Sequence, residues 1–218
     1  MALALFDLDN TLLAGDSDYL WGRYLCELGV VDATVYEQEN QRFYDEYRRG
    51  ELDIHEFLAF SLKPLAENNI DDLRSWRKQF IEQIIQPIIS KQAIALVEKH
   101  RQAGDTLLII TATNAFVTQP IAEIFGISTL IASEPELQQG RYTGKVAGIP
   151  SYAEGKVHRL NNWLQENNLN LDHSWFYSDS HNDIPLLERV THPVAVDPDS
   201  ALRQHAEEKH WQILSLHD

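Results

Sequence analysis

The chain is poor in cysteine and has no long apolar run. Cys26 is the single cysteine among 218 residues, so no disulfide can form within the chain. The start of the sequence lacks the basic region of a secretory leader, and we expect the protein in the reducing cytoplasm. No apolar stretch approaches the roughly 20 residues that span a bilayer, so we expect no membrane contact.

Positive charge is also scarce. The sequence has 18 Lys and Arg against 33 Asp and Glu, a formal net charge of −15. This balance predicts no binding to nucleic acid and none to anionic membranes. An anionic ligand would need local help from a metal, a lysine or backbone N–H groups. The apolar content of 44% is ordinary for a globular chain with one core and a smaller insertion.

The stretch that organises the chain lies near its start, where the apolar run 3–6 ends in Asp7 and Asp9. Such a run is typical of a strand buried in a parallel sheet, and reactive groups follow the carboxyl ends of such strands. Two carboxylates on one strand face favour a hard cation such as Mg²⁺. The alternative is a local turn capped by Asn10 and Thr11.

A helical pattern covers residues 19–86 without any strand signal, with breaks at Gly29 and Gly50. A helical insertion of this length after a first strand predicts a separate, all-helical cap. The predicted domains are residues 15–89 for the cap, and residues 1–14 with 90–218 for the core.

Strand and helix patterns alternate in the remainder of the chain. Short links between alternating strands and helices predict an α/β fold with a doubly wound parallel sheet. The glycine-rich, polar segment 134–148 predicts a hairpin or flap. The further strands are predicted at residues 106–110, 127–133, 174–177, 193–196 and 211–214.

Polar residues follow several of these strands. Thr111 comes after the second, and Asp179 and Asp183 come after the fourth, while Lys156 lies in the helix that follows the hairpin. Each has a simpler interpretation: an aspartate often caps a helix, and a lysine is usually solvated. Their order along the chain, each at the carboxyl side of a strand pattern, is more specific than any one of them.

Together these motifs resemble the haloacid dehalogenase-like phosphohydrolase superfamily. Residues 7–11 are similar to its Asp-x-Asp-x-Thr motif, Thr111 to its second, Lys156 to its third and residues 179–183 to its fourth. The position of the helical block resembles the subclass with a helical cap, which includes phosphoserine phosphatases. Within that subclass, residues 111–114, 140–144 and 177–180 are similar to a branch of histidinol-phosphatase-like hydrolases.

The resemblance implies catalytic roles. Asp7 would be the nucleophile that forms an aspartyl-phosphate, and Asp9 would protonate the leaving alcohol and then activate water. Thr111 would donate to the phosphoryl group, and Lys156 would neutralise charge. The resemblance also implies that Mg²⁺ lies between Asp7, Asp9 and Asp179, with Asp183 holding its waters or binding it directly.

Four further residues are expected to bind substrate. They are Asp16, Thr113, Asn114 and Asn182. His181 lies within the fourth motif, but an oxygen-rich site for a hard metal makes it a bystander at the rim.

The expected cap residues bear on the identity of the substrate, a small phosphorylated metabolite. In the phosphoserine enzymes a Glu and an Arg grip the amino acid; here Asp16 falls at the first position and Ala59 near the second, although a shifted alignment would bring in Lys63. Without the Arg, an α-carboxylate lacks a bidentate partner. Acidic and aromatic residues are expected at the mouth instead: Asp16, Asp18, Tyr19, Trp21, Phe43, Tyr44 and Tyr47.

Such walls suit an amine or an imidazole, and histidinol phosphate is the best match. The alternative is that the aromatic residues only pack the cap helices. Other functions stay open: a phosphoserine phosphatase, a phosphotransferase, or a non-catalytic protein that binds Mg²⁺ or a phospholigand. A dehalogenase does not need Asp9 or a metal. The oligomeric state is not indicated by the sequence.

Overall fold

The computed structural model describes residues 2–217 and contains a seven-stranded sheet. The strand order is β4-β3-β2-β1-β5-β6-β7, and every neighbouring pair is parallel except β3 and β4. The predicted doubly wound α/β fold is therefore confirmed. The strands are β1 (Leu3–Phe6), β2 (Thr106–Asn114), β3 (Thr129–Gln138), β4 (Arg141–Ala147), β5 (Ser174–Ser178), β6 (His192–Val196) and β7 (Gln212–Leu214).

Helices cover both faces of this sheet. Those between β1 and β2 are α1 (Ser17–Glu27), α2 (Ala33–Arg49), α3 (Ile54–Ser61), α4 (Lys63–Glu67), α5 (Ile70–Phe80) and α6 (Lys91–Gln102). Those after β2 are α7 (Ala115–Ile124), α8 (Glu154–Asn167), α9 (Ile184–Leu187) and α10 (Ser200–Glu208). A π-helical turn (Ile81–Ile85) and 3₁₀ turns (Gln86–Ile88 and His181–Asp183) complete the helical elements. No helix among residues 2–217 is long and apolar enough to cross a membrane.

Alternation along β1 assigns its side chains to two cores. Leu3 and Leu5 pack in the cluster that contains α8, α9 and α10, whereas Ala4 and Phe6 pack in the cluster on the opposite face. All four are buried, as expected for a central parallel strand. This burial fixes the direction in which the chain leaves the sheet at Asp7.

The insertion between β1 and α6 is helical, as the sequence predicts. Asp16, Asp32 and Asp53 cap α1, α2 and α3 with their side chains, and Gly50 ends α2 in the left-handed conformation. The two ends of the insertion meet, because the Ala14 N–H donates to the Ile88 carbonyl at 2.9 Å.

Part of the insertion shares the core of the sheet. Trp21 of α1 lies in contact with the rings of Phe80, at the end of α5, and Phe116, in α7. All three belong to the same apolar cluster as Ala4 and Phe6 of the central strand. Helices α1, α3, α4 and α5 are therefore packed on the sheet through one continuous core, whereas Tyr36 and Phe43 of α2 contact the rings of Phe57 and Phe60.

Two strands are longer than the sequence indicates. β2 continues past Ile110, its predicted end, to Asn114, and β3 runs to Gln138. Pairing between them jumps from Ile110–Ile131 to Asn114–Ser133, so β2 carries two additional residues. The segment 134–148 forms the predicted hairpin, and its second arm joins the sheet as the antiparallel edge strand β4.

Candidate active site

Asp7 emerges from β1 into a buried ion-pair network. The Lys156 ammonium, in the first turn of α8, donates to Asp7 Oδ1 at 2.9 Å and to Asp183 Oδ2 at 2.8 Å. Ser178 Oγ also donates to Asp183 Oδ2, at 2.7 Å. Lys156 is 2% exposed, so the expectation of a solvated lysine does not apply here. The predicted first, third and fourth motifs meet at this point.

Burial and the neighbouring acids in this network disfavour the ionised form of Asp7. Burial raises the pKa of Asp7 to about 7, against the lowering influence of Lys156, and the charges of Asp183 and Asp9 add to the rise. Burial by itself would lower the pKa of Lys156, but the two carboxylates outweigh it and raise that pKa. One ammonium is therefore shared between two acids.

Asp179 is the third buried acid, and it has no cationic partner among the described residues. Its Oδ1 accepts a hydrogen bond from Thr11 Oγ1 at 3.1 Å, and its own N–H donates to the same hydroxyl. Burial, then the charges of Asp7 and Asp183, raise the pKa of Asp179 well above its usual range. Asp7 and Asp179 therefore repel each other in a desolvated site, which is the situation that a bound cation relieves.

Asp9 is held by the start of α1 and by β2. The Ser17 N–H donates to Asp9 Oδ1 at 2.6 Å, and Thr113 Oγ1 donates to Asp9 Oδ2 at 2.7 Å. Thr111 Oγ1 lies further away, at 3.4 Å from the same oxygen. Thr111 lies within β2 rather than at its end, because the strand continues to Asn114. Thr111 and Thr113 are two residues apart in the strand and share a face, and both hydroxyls donate to Asp9.

A cavity lies beside Asp7, between the carboxyl ends of strands β1 and β2 and helices α1, α2 and α3. It is acidic near α1 and apolar or aromatic along α2 and α3. Its lining comprises Asp7, Asp9, Asn10, Asp16, Asp18, Tyr19, Asn40, Phe43, Tyr44, Tyr47, Leu52, Ile54, Phe57, Thr111, Ala112, Thr113 and Lys156. The acidic and aromatic mouth expected from the sequence is thus present.

Asp16 and Trp21 were both expected at the mouth, but of these two only Asp16 lines the cavity. Asp16 lines the cavity and also caps α1, accepting hydrogen bonds from the N–H groups of Asp18 and Tyr19 at 3.0 and 2.9 Å. Burial and then the charge of Asp9 raise the pKa of Asp16 to about 7. Trp21 was expected at the mouth as well, and this was wrong: it is buried under α1 because its ring fills the apolar cluster.

Asn114 and Asn182 do not line the cavity. Asn114 caps α7 and donates to Asp18 Oδ1 at 3.3 Å. Asn182 donates to the Tyr47 carbonyl at 3.1 Å and accepts from the Tyr152 hydroxyl at 3.0 Å, so it joins the fourth motif to the end of α2. The part of either residue in binding substrate stays a prediction.

Two basic candidates are also placed outside the cavity. His181 is paired through Nδ1 with Asp199 at 2.7 Å, and its Nε2 lies against Gly50. Lys63 is exposed and pairs loosely with Glu67 at 3.7 Å. Among the described residues that line the cavity, Lys156 is the single Lys or Arg, and both of its carboxylate partners are already in place.

Phe43, Tyr44 and Tyr47 were expected at the mouth, whereas Asn40, Leu52, Ile54 and Phe57 were missed in the sequence, and one signal was available for Asn40. Asn40, Phe43, Tyr44 and Tyr47 follow the i, i+3, i+4, i+7 spacing of one helix face, and Asn40 shares the cavity wall with the three aromatic residues. Its amide donates to the Tyr19 carbonyl at 3.0 Å. Leu52, Ile54 and Phe57 have no comparable sequence signal, because a loop and a short helix position them.

The donor groups beside the cavity bear on metal binding. Within residues 2–217, no three His, Cys, Asp or Glu side chains are grouped so that they would hold a metal ion by themselves. Mg²⁺ does not require such a group, since one or two carboxylates, a carbonyl and waters satisfy it. The buried pair of Asp7 and Asp179 fits this requirement, because their charges exceed what Lys156 offsets.

The sequence matches the family model of the haloacid dehalogenase-like hydrolases over residues 4–188. A histidinol-phosphatase from Neisseria meningitidis serogroup C (strain 8013) is 46% identical over 218 residues, covering 98% of each chain. A crystal structure of a protein with unknown function from Bordetella pertussis Tohama I has a TM-score of 0.93 and 45% identity, covering 99% of this chain and 98% of that one.

The fold is shared more widely. A substrate-bound phosphoserine phosphatase has a TM-score of 0.74 at 18% identity, with 100% of this chain and 94% of that chain covered. From the family match and the close relative, the chain belongs to the haloacid dehalogenase-like hydrolases and is a phosphatase of that family.

Proposed function

We propose that this phosphatase is a Mg²⁺-dependent phosphomonoesterase that acts through an aspartyl-phosphate on Asp7, with histidinol phosphate as its substrate. The buried contact between Asp7 and Lys156 carries this proposal. Because Lys156 holds Oδ1, we assign the attack on phosphorus to Oδ2 of the same carboxylate. The ester P–O bond then breaks as the new P–O bond to Asp7 forms.

Asp9 is assigned the proton transfers. Its carboxyl would give a proton to the leaving alkoxide, and its carboxylate would then take one from the water that cleaves the aspartyl-phosphate. Contacts with the Ser17 N–H and the Thr113 hydroxyl orient it for both steps. Thr111 and the Ala112 N–H are assigned to the phosphoryl oxygens, because both residues line the same cavity, whereas the Thr113 N–H already donates to Thr111 Oγ1 at 3.2 Å.

The metal is assigned to the carboxylates of Asp7 and Asp179 and the main-chain carbonyl of Asp9, with Asp183 acting through waters. When bound, Mg²⁺ would supply positive charge to the phosphoryl group and offset the repulsion between the acids. The raised pKa values of Asp7 and Asp179 support this assignment. Lys156 holds the nucleophile in place through its contact with Asp7 Oδ1.

We further propose that residues 15–89 serve as the cap predicted from the sequence. The backbone contacts that join Leu13 and Ala14 to Ile88 and Ile89 support boundaries at these positions. Helices α1, α2 and α3 of this segment form the wall of the cavity that faces the strand ends. Substrate selection is therefore assigned to this wall.

The histidinol phosphate proposal is supported by charge and by the named relative. An imidazole and an amine suit a wall of carboxylates and aromatic rings. Phosphoserine, the alternative, brings a carboxylate that requires a cation, and the lysine beside the cavity is already shared by two acids. The relative at 46% identity is a histidinol-phosphatase.

A panel of phosphomonoesters, assayed for phosphate release with Mg²⁺, tests the substrate. We expect kcat/KM for histidinol phosphate to exceed that for phosphoserine by at least about tenfold, about 1.4 kcal/mol in transition-state binding. A tenfold preference for phosphoserine would overturn the substrate. Repeating the assay with an added alcohol and measuring new phosphate ester separates hydrolysis from phosphotransfer, and we expect free phosphate as the product.

A further inference from the structure

Asp18 is a buried acid at the cavity that the proposed chemistry does not use. It lies in the first turn of α1 and is 8% exposed. Its Oδ1 accepts a hydrogen bond from the Asn114 amide at 3.3 Å, whereas Oδ2 is buried with no hydrogen-bond partner. Buried carboxylate oxygens are normally bonded, so an unpaired one requires an explanation.

The neighbouring acids are better supplied with donors. Asp16 accepts two backbone N–H groups on Oδ1 at the start of α1, and Asp9 accepts the Ser17 N–H on Oδ1 and a threonine hydroxyl on Oδ2. Within this group, Asp18 Oδ2 is the one carboxylate oxygen that is fully buried and has no donor. Burial, then the charges of Asp16 and Asp9, raise the pKa of Asp18 well above its usual range.

Two other polar atoms of the same helix are also unpaired, Ser17 Oγ and Trp21 Nε1. Neither residue lines the cavity, whereas Asp18 does. Trapped water at these atoms would not explain why Asp18 alone of the three residues lines the cavity. The rings of Tyr19 and Tyr44 lie 5.2 Å apart beside it and offer π faces to a cation.

We propose that Asp18 Oδ2 binds a protonated nitrogen of the substrate, so that Asp18 selects phosphomonoesters that carry an ammonium group. This inference rests on the proposed function for the phosphoryl end of the cavity. It adds a specificity-determining residue beyond Asp16, whose Oδ1 accepts the backbone N–H groups at the start of α1. The unpaired Asp18 carboxylate destabilises the protein without ligand, and the ammonium group of the bound substrate supplies the partner that it lacks.

The experiment compares two substrates of equal size, O-phosphoethanolamine and n-propyl phosphate, which differ in a single ammonium-for-methyl replacement. We expect the natural protein to favour the amine by about tenfold or more in kcat/KM. In Asp18→Asn, which keeps the acceptor for Asn114, we expect this ratio to fall about tenfold, through KM for the amine. Thermal unfolding should show no loss of stability, because an unpaired buried charge has been removed.

Glu27→Gln is the matched control. It removes the same charge from the same helix at a side chain that is 63% exposed, so the ratio should not change. An equal loss for both substrates in Asp18→Asn, or an unchanged ratio, would assign Asp18 to structure or to a trapped water and overturn the proposal. Equal use of both substrates by the natural protein would also overturn it, whether or not the variant folds.

Calorimetric binding of the same two compounds separates this proposal from the proposed function. If the natural protein hydrolyses neither compound, nor histidinol phosphate, the proposed function fails. Tighter binding of the amine that is lost in Asp18→Asn would still support the role of Asp18. Binding that does not distinguish the two compounds would contradict it.

Discussion

The ammonium of Lys156 lies 2.9 Å from Asp7 Oδ1, although the two residues are 149 positions apart in the chain. The same ammonium lies 2.8 Å from Asp183, and all three side chains are nearly inaccessible to solvent. A buried lysine with two acids holds the strand ends together as well as neutralising charge. Its removal should therefore affect folding and turnover together.

We expect Lys156→Met to lower the free energy of unfolding by about 3–5 kcal/mol, because it leaves two carboxylates buried without a counter-charge. Urea unfolding followed by circular dichroism measures this loss. Lys145→Gln, at an exposed position in β4, is the control and should change stability by less than about 0.5 kcal/mol. Equal stability of both variants would contradict the network described here.

Asp7→Asn should abolish catalysis without unfolding the protein. An amide cannot form the aspartyl-phosphate, so we expect phosphate release from p-nitrophenyl phosphate to fall at least about 10³-fold, the scale set by loss of a catalytic group. Lys156 keeps its contact with Asp183, and the far-UV spectrum should not change. Unchanged turnover would remove Asp7 from the mechanism. Asp72→Asn, on the exposed side of α5, should retain full activity.

Metal removal should make stability depend on pH in a defined direction. Burial raises the pKa of Asp7 from 3.8 to about 7, so the folded protein binds more protons than the unfolded chain between these values. Stability without metal should therefore fall as pH rises from about 4 to 7 and stay low above. In EDTA we expect Asp7→Asn to remove part of this slope.

Mg²⁺ should reverse that loss. We expect its stabilising effect on Tm to be larger at pH 8 than at pH 5.5, because protons no longer compete for the carboxylates. At a hundredfold excess over its dissociation constant the gain is about 2.7 kcal/mol. Differential scanning calorimetry at both pH values measures it. The reverse order, with the larger effect at pH 5.5, would contradict the assigned ligands.

The start of α8 should respond in opposite directions to two small substitutions, at Ala153 before the helix and at Gly155 in its first turn. A Cβ at Gly155 would collide with the Pro150 carbonyl, so Gly155→Ala should cost about 1–3 kcal/mol and lower kcat by displacing Lys156. Ala153 has φ +46° and ψ −121°, so Ala153→Gly should gain up to about 1 kcal/mol. Thermal unfolding distinguishes the two, and equal shifts would contradict this account.

Asn182→Ala tests whether this residue binds substrate or joins α2 to the core. Because its amide contacts the Tyr47 carbonyl and the Tyr152 hydroxyl, we expect a loss of about 1–2 kcal/mol in stability. Inhibition by inorganic phosphate should be unchanged. Tyr152→Phe removes one of the two contacts and should cost less. If the variant were as stable as the natural protein but less inhibited by phosphate, Asn182 would be a phosphate-binding residue and not a structural one.

Local patterns in the sequence were sufficient to predict most helices and strands and their order along the chain. The apolar run of β1, the aspartates that cap α1, α2 and α3, and the acids beyond β1 and β5 all depend on neighbours a few residues away. The family resemblance follows from the same motifs, and the family match and the sheet order confirm it. The hairpin at 134–148 was readable because its glycines mark the turn.

Contacts between distant segments decided the rest. The sequence does not show that Lys156 is buried between Asp7 and Asp183, that the Thr113 hydroxyl reaches Asp9, or that Trp21 fills the core. Each depends on how close two segments come after the helices pack on the sheet. The unpaired oxygen of Asp18 is also a feature that only the tertiary structure shows. An acceptor can be recognised as unpaired only when the positions of all surrounding donors are known.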